Sequence, residues 1–567
     1  MADYPKDTKV QTYRKRLESL KPARTSFEED AREISSLAMP SRSRWSGQGS
    51  TNRGRKRNNK LNNGHGIKSF RTLQGGMTSG LSSESRPWFT LTSPDDELAD
   101  HPEVKVYFSD VQKRMEAFIA GTNLYGVLKT GYLELGGFGT ECSILTEHKK
   151  VGMVGHALTF GEYWLGLDDA MEVSTLVHRM PMTAFQAVGK FGEDKVSPTV
   201  KTAYDRSDYN QQFDYYHIVE QNEDYIEGRL GPQGKIWSSC YWQDGDARIT
   251  DDAIIEEMGY NEKPFWAPRW DTTGNDTYGQ GPGHDALPDL RELQVQTRRK
   301  AEATDQCIWP ELLNTTNAKL KRQPKAVTNV AVADVQKGVM PAYQVPYQAI
   351  EMVMNDVTRL EQKVDETTYS DLFLAITNMQ GVQPRNIEEI AARNEEKLTL
   401  LGPVIERVNK EKLAVVIDRV YAIMDRLGLL PPAPDILQRN PQIKVKFVSI
   451  LTQMQRMVGL GQIERGVNFV GSLAAVYPEA RFKLDPMSIV DEYAERAGMP
   501  AETVRPTDDA QQDADQETQQ KQAAAAAAAA PNVSKPFKDM TDAAKVAATI
   551  PGSGIPPVQD LIPVVPR

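Results

Sequence analysis

The stretch YGQGPGHDALPDLRELQVQTRRKAEA, residues 278–303, decides how this chain is interpreted. Gly279, Gly281 and Gly283 stand just ahead of a segment whose spacing predicts a helix. A glycine-rich turn before a helix N-terminus is where many proteins bind phosphate groups. This turn lacks the lysine of a phosphate-binding loop at the required offset, and Pro282 has no amide hydrogen to donate. We therefore expect no nucleotide site here, and the glycines need another explanation.

No other motif predicts catalysis, a cofactor or a bound metal. The segment GRLGPQGKIW (228–237) has the wrong spacing for a phosphate loop, and Ile236 replaces the magnesium-binding hydroxyl. The seven histidines show no H-E-x-x-H spacing, and G-x-S-x-G is absent. The three cysteines form no C-x-x-C pair, which favours a reducing compartment. The sequence thus predicts no catalytic, cofactor-binding or metal-binding residue.

The charge balance argues against a protein that holds DNA tightly. The 567 residues include 67 basic and 77 acidic side chains, which gives a formal net charge of −10. Proteins that grip the phosphate backbone are usually basic, because each neutralised phosphate adds affinity. No run of about 18 apolar residues exists, so we expect no membrane-spanning helix.

The first part of the chain predicts a helix followed by a loop. Residues 5–40 have helical spacing, and Ser26 with Glu29 matches a capping box. Residues 41–80 are rich in Gly, Asn, Arg and Lys and predict a loop. Its basic cluster at 53–57 is explained either by a solvated surface or by a contact with nucleic acid or an acidic partner.

The middle of the chain predicts an α+β region. Between about 140 and 270, short alternating segments separated by Gly, Asp and Pro are typical of antiparallel strands. In EVSTLVH (172–178), this alternation is expected to place Val173, Thr175 and Val177 on one face of a strand.

The last part predicts helices with two interruptions. Apolar residues at 350, 353, 357, 360 and 364 form a seven-residue repeat, which predicts a narrow apolar seam suited to packing between neighbouring subunits. After a break at 375–386, a long helix is expected to run to about 427, with a kink at Gly402 and Pro403. Residues beyond 505 are of low complexity and include eight consecutive alanines, which favour a frayed or assembly-dependent helix.

Several segments, taken in order, resemble the portal, or head-to-tail connector, proteins of short-tailed double-stranded-DNA bacteriophages. The resemblance covers about residues 8–500. It is carried by these segments: RKRLESLKPARTSFEEDAREISSLAMP, SSESRPWFTL, NLYGVLKTGYLELGGFGTECSIL, VHRMPMTAFQAVGKFG, RWDTTGNDTYGQGPGHDALPDLRELQ and EEKLTLLGPVIERVNKEKL.

The resemblance implies a multi-region portal fold of the α+β class. Its implied regions are N-terminal helices and an α+β wing (1–284), a stem helix (285–305), a clip (306–345), a second stem helix (346–373), a tunnel loop (374–385), a long kinked helix (386–428), a C-terminal wing and crown (429–505), and a low-complexity tail (506–567) of the kind that extends some crowns as a helical barrel.

The resemblance also implies roles for particular residues. The tunnel loop and its surroundings would face DNA through Asn378, Met379, Gln380, Gly381, Val382, Gln383, Arg385 and Lys363. The clip would contact a tail adaptor or the packaging motor through Lys319, Lys321, Arg322 and Lys325, which are equally explained as solvated surface charges. The joints would be Gly279, Gly281 and Gly283, where the wing meets the stem, and Gly402 with Pro403 in the kinked helix.

The implied function is a ring, typically dodecameric, at one vertex of the capsid, without enzymatic activity. Such a ring conducts DNA during packaging and ejection without reading its sequence. Its other partners are terminase, a tail adaptor, the major capsid protein and scaffolding proteins, and it assembles in the bacterial cytoplasm before it becomes part of the virion. Two alternatives remain at this stage: a tail adaptor or scaffold that is not itself a ring, and a packaging ATPase.

Overall fold

A computed structural model describes most of the chain between residues 8 and 497. The described residues are 8–45, 61–95, 98–99, 101–246, 248, 253–310, 312–314, 339–341, 346–377, 395–437, 443–448, 451, 460–497, 510–511 and 516. The chain divides into two compact units, Met1–Val458 and Gly459–Arg567. In the second unit, the described elements are a helix at Leu460–Val476, a 3-10 segment at Pro478–Lys483 and a helix at Pro486–Ala497.

Helices account for about half of the described residues of the first unit. They are α1 (Lys9–Leu37), α2 (His65–Leu81), α3 (Pro102–Ala120), α4 (Leu124–Phe138), α5 (Ala184–Phe191), α6 (Pro198–Asp205), α7 (Pro282–Asp285), α8 (Leu287–Ile308), α9 (Tyr347–Thr367), α10 (Ser370–Thr377), α11 (Glu395–Val408) and α12 (Val415–Arg426). A π-helical segment, Asn409–Ala414, joins α11 to α12. Shorter 3-10 turns lie at Pro40–Arg42, Phe160–Glu162 and Pro232–Gly234.

Four antiparallel sheets accompany these helices among the described residues. Their strands are β1 (Phe89–Thr92), β2 (Cys142–His148), β3 (Gly152–Leu158), β4 (Tyr163–Leu167), β5 (Val173–Thr183), β6 (Gln212–Gln221), β7 (Trp237–Gln243), β8 (Ile254–Tyr260), β9 (Phe265–Trp266), β10 (Leu312–Asn314), β11 (Val339–Pro341) and β12 (Lys444–Phe447). The largest sheet has the order β4-β5-β6-β7-β8, and the others are β3-β2-β9, β1-β12 and β10-β11. The predicted α+β class is confirmed.

The predicted strand face at 172–178 was wrong in one detail. A β-bulge lies where Gly166 pairs with Thr175 but the next residue, Leu167, pairs with Val173. The extra residue shifts the alternation by one position. Val173 therefore shares a buried cluster with Leu176, whereas Val177 belongs to the cluster on the other face.

The predicted capping box at Ser26 and Glu29 was also wrong. Helix α1 begins at Lys9, where Thr8 Oγ1 accepts from the Gln11 amide (3.4 Å) and Gln11 Oε1 accepts from the Thr8 amide (3.2 Å). Ser26 lies inside the helix, and its hydroxyl donates to the Ala23 carbonyl (3.2 Å). Both places match the capping-box pattern, but only Thr8 has the extended backbone of an N-cap residue (φ −66°, ψ 155°).

The predicted loop at 41–80 contains a helix over its second half. Helix α2 buries Phe70, Leu73 and Met77, while its glycines hide the pattern because they lower helix propensity. Gly76 is required by close packing, since a Cβ atom there would lie 2.2 Å from the Phe373 side chain. The basic cluster at 53–57 lies outside the described residues.

The three glycines of the opening stretch are buried against the C-terminal end of α4. A Cβ atom at Gly283 would lie 2.0 Å from the Gly137 carbonyl oxygen, and one at Gly279 would lie 2.6 Å from that of Gly139. Gly281 has an extended φ of −145°, which any residue can adopt. The absence of side chains therefore permits two backbones to approach closely. The role of these glycines as a joint stays a prediction.

We predict that Gly283→Ala lowers the thermal stability of the protein. The new methyl group collides with backbone that has no room to move, and overpacking of this kind costs about 3 kcal/mol. Gly126→Ala is the matched control, because the exposed Gly126 lies on α4 with no atom within 4 Å of a Cβ there. Thermal unfolding followed by near-UV circular dichroism should give a lower Tm for Gly283→Ala and an unchanged or higher Tm for the control. Equal Tm values would contradict the packing explanation.

Candidate functional site

Helices α8 and α9 pack against each other in antiparallel fashion and continue toward a short β-ribbon. Leu293 of α8 contacts Val357 and Leu360 of α9, and nearer the start of α8 Asp289 lies 3.9 Å from Lys363. Strands β10 and β11 pair antiparallel at the far end. We call α8, α9 and this ribbon the finger.

The predicted seam of α9 contacts its own chain. Val357 and Leu360 pack on Leu293 of α8, and Val364 belongs to the buried cluster that contains Leu287 and Leu290. The expectation that this seam packs between subunits was therefore wrong for these three residues, and it stays a prediction for the half-buried Ile350 and Val353. The seven-residue repeat correctly indicated a helix partner, but a repeat does not say whether the partner belongs to the same chain.

Polar side chains fix the base of the finger to the segment before α2. Gln294 Oε1 accepts from the backbone amides of Asn62 (2.8 Å) and Asn63 (3.0 Å). The Asn63 side-chain amide donates to Glu361 Oε1 (2.9 Å) and to Thr297 Oγ1 (3.2 Å). One asparagine thus bridges the two finger helices, and it holds them at a fixed register.

The outer part of the finger is uncovered in the single chain. Among the described residues of 295–310 and 346–356, none is buried. Several apolar side chains are exposed there, including Tyr347 (77%) and Met352 (69%). A helix pair with no cover on its outer faces gains little from the hydrophobic effect, and exposed apolar groups of this kind mark contact surfaces.

The π-helical segment Asn409–Ala414 places a buried charge between α4 and the start of β2. Lys412 Nζ donates to Glu141 Oε2 (2.6 Å) and to the Leu128 carbonyl (3.2 Å), and it lies 3.6 Å from the centre of the Tyr132 ring. Both charged side chains are fully buried. Burial lowers the pKa of the Lys412 ammonium, and the Glu141 carboxylate offsets part of that shift.

Further ion pairs continue this attachment along the helix. Arg269 Nη2 donates to Glu411 Oε1 (3.1 Å). Arg426 donates to both Glu262 (2.6 Å) and Glu147 (2.7 Å), and the buried Arg419 contacts the same two carboxylates. Sequence reasoning missed this network, although Lys412, Arg419 and Arg426 are spaced by seven residues on an otherwise apolar face.

Few of the predicted site residues fall within the described part of the chain. Pro403 is exposed and Gly402 half-buried inside α11, which continues to Val408 before the π-helical segment; the kink itself stays a prediction. Helix α10 includes residues 374–377, so the predicted tunnel loop begins no earlier than 378. The following lie outside the described residues: Asn378, Met379, Gln380, Gly381, Val382, Gln383, Arg385, Lys319, Lys321, Arg322 and Lys325.

The described residues contain no cluster of three side chains that could hold a metal ion. His178 Nε2 lies 2.8 Å from His217 Nδ1 inside the largest sheet, and burial lowers the pKa of His178 to about 3. Both imidazoles are therefore neutral structural groups at neutral pH. None of the described helices is long and apolar enough to cross a membrane.

Exposed apolar side chains on the outer half of the finger are typical of a chain that packs against other chains in an assembly. The family profile for bacteriophage head to tail connecting proteins matches residues 10–504. The chain is 33% identical to the portal protein of Salmonella phage epsilon15 over 509 residues, which cover 89% of this chain and 90% of the relative. It is also 33% identical to the probable portal protein of Bordetella phage BPP-1 over 504 residues, which cover 88% and 89%.

The chain belongs to the bacteriophage head to tail connecting protein family. It is a structural connector rather than an enzyme. As a family member, it is a homo-oligomeric component of the virion that attaches to capsid and tail. The connector is built from an α+β body, the finger, and the helices α11 and α12, which ion pairs attach to that body.

We predict that Lys412→Ala destabilises the protein by about 3–5 kcal/mol, because it leaves the Glu141 carboxylate buried without a countercharge. The control is Lys410→Ala two residues earlier, which removes an exposed pair with Glu172 and should cost at most about 1 kcal/mol. Urea unfolding of both variants measures the difference.

The combination of Lys412→Met with Glu141→Gln tests the cause. It removes both charges but keeps an acceptor for the Trp266 indole, whose Nε1 donates to Glu141 Oε1 (3.0 Å). We expect this variant to recover most of the stability lost in Lys412→Ala. A double variant as unstable as Lys412→Ala would contradict the role of the unpaired charge.

Proposed function

We propose that copies of this chain form a closed ring, typically of twelve, at one vertex of the capsid. Double-stranded DNA passes through the ring during packaging and ejection. The observation that carries the proposal is the finger, in whose outer half none of the described residues is buried. In a ring, each finger packs against its neighbours, so Tyr347 and Met352 become buried between subunits.

The outer sides of the finger suit the contacts of a closed ring. A ring uses heterologous contacts, in which two different faces of the same chain meet, and rotation closes the assembly. The finger offers such faces, because α8 and α9 carry different side chains on their outer sides. Met352 and Met354 lie on α9, whereas Val295 lies on α8.

The charge of α9 suits a channel for DNA. This helix carries five carboxylates and two cations, and one of those cations, Lys363, lies 3.9 Å from Asp289. Each phosphate that a cation neutralises adds affinity. A wall of α9 copies would therefore allow DNA to slide, because it offers few free cations to hold the phosphates.

The remaining partners follow from the family and from the charges of the finger's outer end. We propose that Lys319, Lys321, Arg322 and Lys325 contact the tail adaptor or the terminase. Residues 378–385 form a loop that contacts DNA in the channel, and Gly279, Gly281 and Gly283 form the joint between wing and stem. The major capsid and scaffolding proteins surround the ring, which assembles in the host cytoplasm and functions in the virion.

Electron microscopy of the purified protein tests the ring. We expect closed rings for the wild type and at least a tenfold lower ring yield for Met352→Glu, because a carboxylate would be buried at the contact. Gln362→Glu adds the same charge at an exposed polar position of α9 and should leave the yield unchanged. Far-UV circular dichroism establishes that both variants are folded. A folded wild-type protein without rings would refute the proposal.

The predicted kink gives a separate prediction for Pro403→Ala. Proline in a helix interior removes one backbone hydrogen bond and clashes with the preceding turn, so alanine straightens α11. We expect intact rings and a marked loss of packaged DNA in a complementation assay. Normal packaging by this variant would remove the reason to assign the kink a function.

A further inference from the structure

The loop between β6 and β7, residues 222–236, presents an apolar side chain to solvent on a fixed support. Leu230 is 96% exposed at its tip. Asn222 closes the base, because its side-chain amide donates to the carbonyls of Pro232 (3.2 Å) and Lys235 (2.8 Å). The Ile226 amide donates to the Gln233 carbonyl (2.8 Å) across the loop. We call this segment the tip loop.

Two glycines hold Leu230 in this position. Gly228 and Gly231 flank the tip with φ values of 76° and 90°, a region that other residues rarely adopt. A Cβ atom at Gly234 would lie 1.6 Å from the Arg229 carbonyl oxygen, so the loop folds back tightly on itself. Three further apolar side chains of the same loop are between 41% and 49% exposed, so the tip loop presents several apolar groups to solvent, as contact surfaces do.

A second exposed apolar surface lies at the other end of the same strand. Phe185 (61% exposed) and Tyr209 (43% exposed) meet edge to face with ring centres 6.1 Å apart, and Tyr204 packs on Tyr209 at 5.2 Å. The Phe185 amide donates to the Tyr209 carbonyl (3.3 Å), which fixes the two segments. We call these three side chains the aromatic platform.

Strand β6 sets the distance between the two surfaces. The tip loop follows Gln221, where β6 pairs with Trp237 of β7, and the aromatic platform adjoins Gln212, where β6 pairs with Thr183 of β5. Ten residues of strand span about 33 Å. The two apolar surfaces therefore lie at opposite ends of the wing sheet, on different elements and with different shapes.

We propose that the tip loop of one copy docks on the aromatic platform of the next copy in the ring. A ring requires each chain to present two different surfaces on opposite sides, and these two surfaces meet that requirement. Leu230 is a narrow apolar projection, and the platform is a broad aromatic surface of the kind that is enriched at the centres of contacts. This inference rests on the proposed ring, and it adds a wing-to-wing contact to the packing of the fingers.

Crosslinking between copies tests the contact directly. Cys307→Ser removes the exposed cysteine, while Cys142 and Cys240 stay because they are buried. Leu230→Cys and Phe185→Cys are then combined in one chain. A short bis-maleimide is used, since a direct disulfide demands Cα atoms within about 7 Å. We expect denaturing gels of assembled rings to show a ladder up to the full ring. Mixing the two single-cysteine variants should give dimers only.

The controls separate this inference from the ring itself. Leu230→Cys with Ser85→Cys places the second thiol on an exposed turn outside both surfaces and should give no ladder. Rings that are visible by electron microscopy but yield no ladder, or the same ladder as this control, would overturn the wing-to-wing contact and leave the ring intact. Absence of rings in the wild type would overturn both.

Leu230→Asp distinguishes a neighbouring copy from another partner. The side chain is almost fully exposed, so folding is unaffected and the Tm should match that of the wild type. We expect at least a tenfold lower yield of rings, with Leu230→Met as the variant that retains them. Normal rings that fail only to enter capsids would overturn the proposal, because the tip loop would then contact a different protein.

Discussion

The close approach of two glycine-rich segments, 136–139 and 279–283, is the constraint on which the finger depends. The Gly279 amide donates to Thr140 Oγ1 (2.8 Å), and the Trp270 amide donates to the Gly139 carbonyl (2.8 Å). These contacts set where the chain leaves the wing and enters α8. Any side chain at Gly283 would push the two backbones apart, and the start of the finger would move with them.

Ion pairs fix the position of the long helix, which consists of α11, the π-helical segment and α12. Most domains bury apolar groups at helix contacts, because an unpaired charge inside a protein is costly. Here Lys412 meets Glu141 just before β2, and Arg419 and the more exposed Arg426 both meet Glu262 between β8 and β9. Burial of apolar surface has no preferred direction, whereas these pairs are satisfied in one register only. The π-helical segment shifts the helix so that Lys412 points at Glu141.

Much of the fold could be predicted from the sequence, and the failures have identifiable physical causes. Periodicity indicated α8, α9 and the antiparallel strands, because their apolar residues follow regular spacings. Helix α2 was missed since its glycines, of which Gly76 is needed for contact with Phe373, resemble those of a loop. The β-bulge before Thr175 and the choice of α8 as the helix that packs on the α9 seam depend on tertiary packing, so the local sequence does not indicate them. Of the predicted site residues, only Lys363, the three wing glycines, Gly402 and Pro403 are described; their roles stay predictions.

The burial of Lys412 and Glu141 has a consequence for how the protein responds to dissolved salt. Mobile ions screen exposed charges over about 10 Å at 0.1 M, but they cannot enter the space around a fully buried pair. The surface pair of Lys410 and Glu172 weakens as the ionic strength rises, whereas the buried pair of Lys412 and Glu141 keeps its strength. The helix that carries Lys412 therefore keeps its register at both low and high ionic strength.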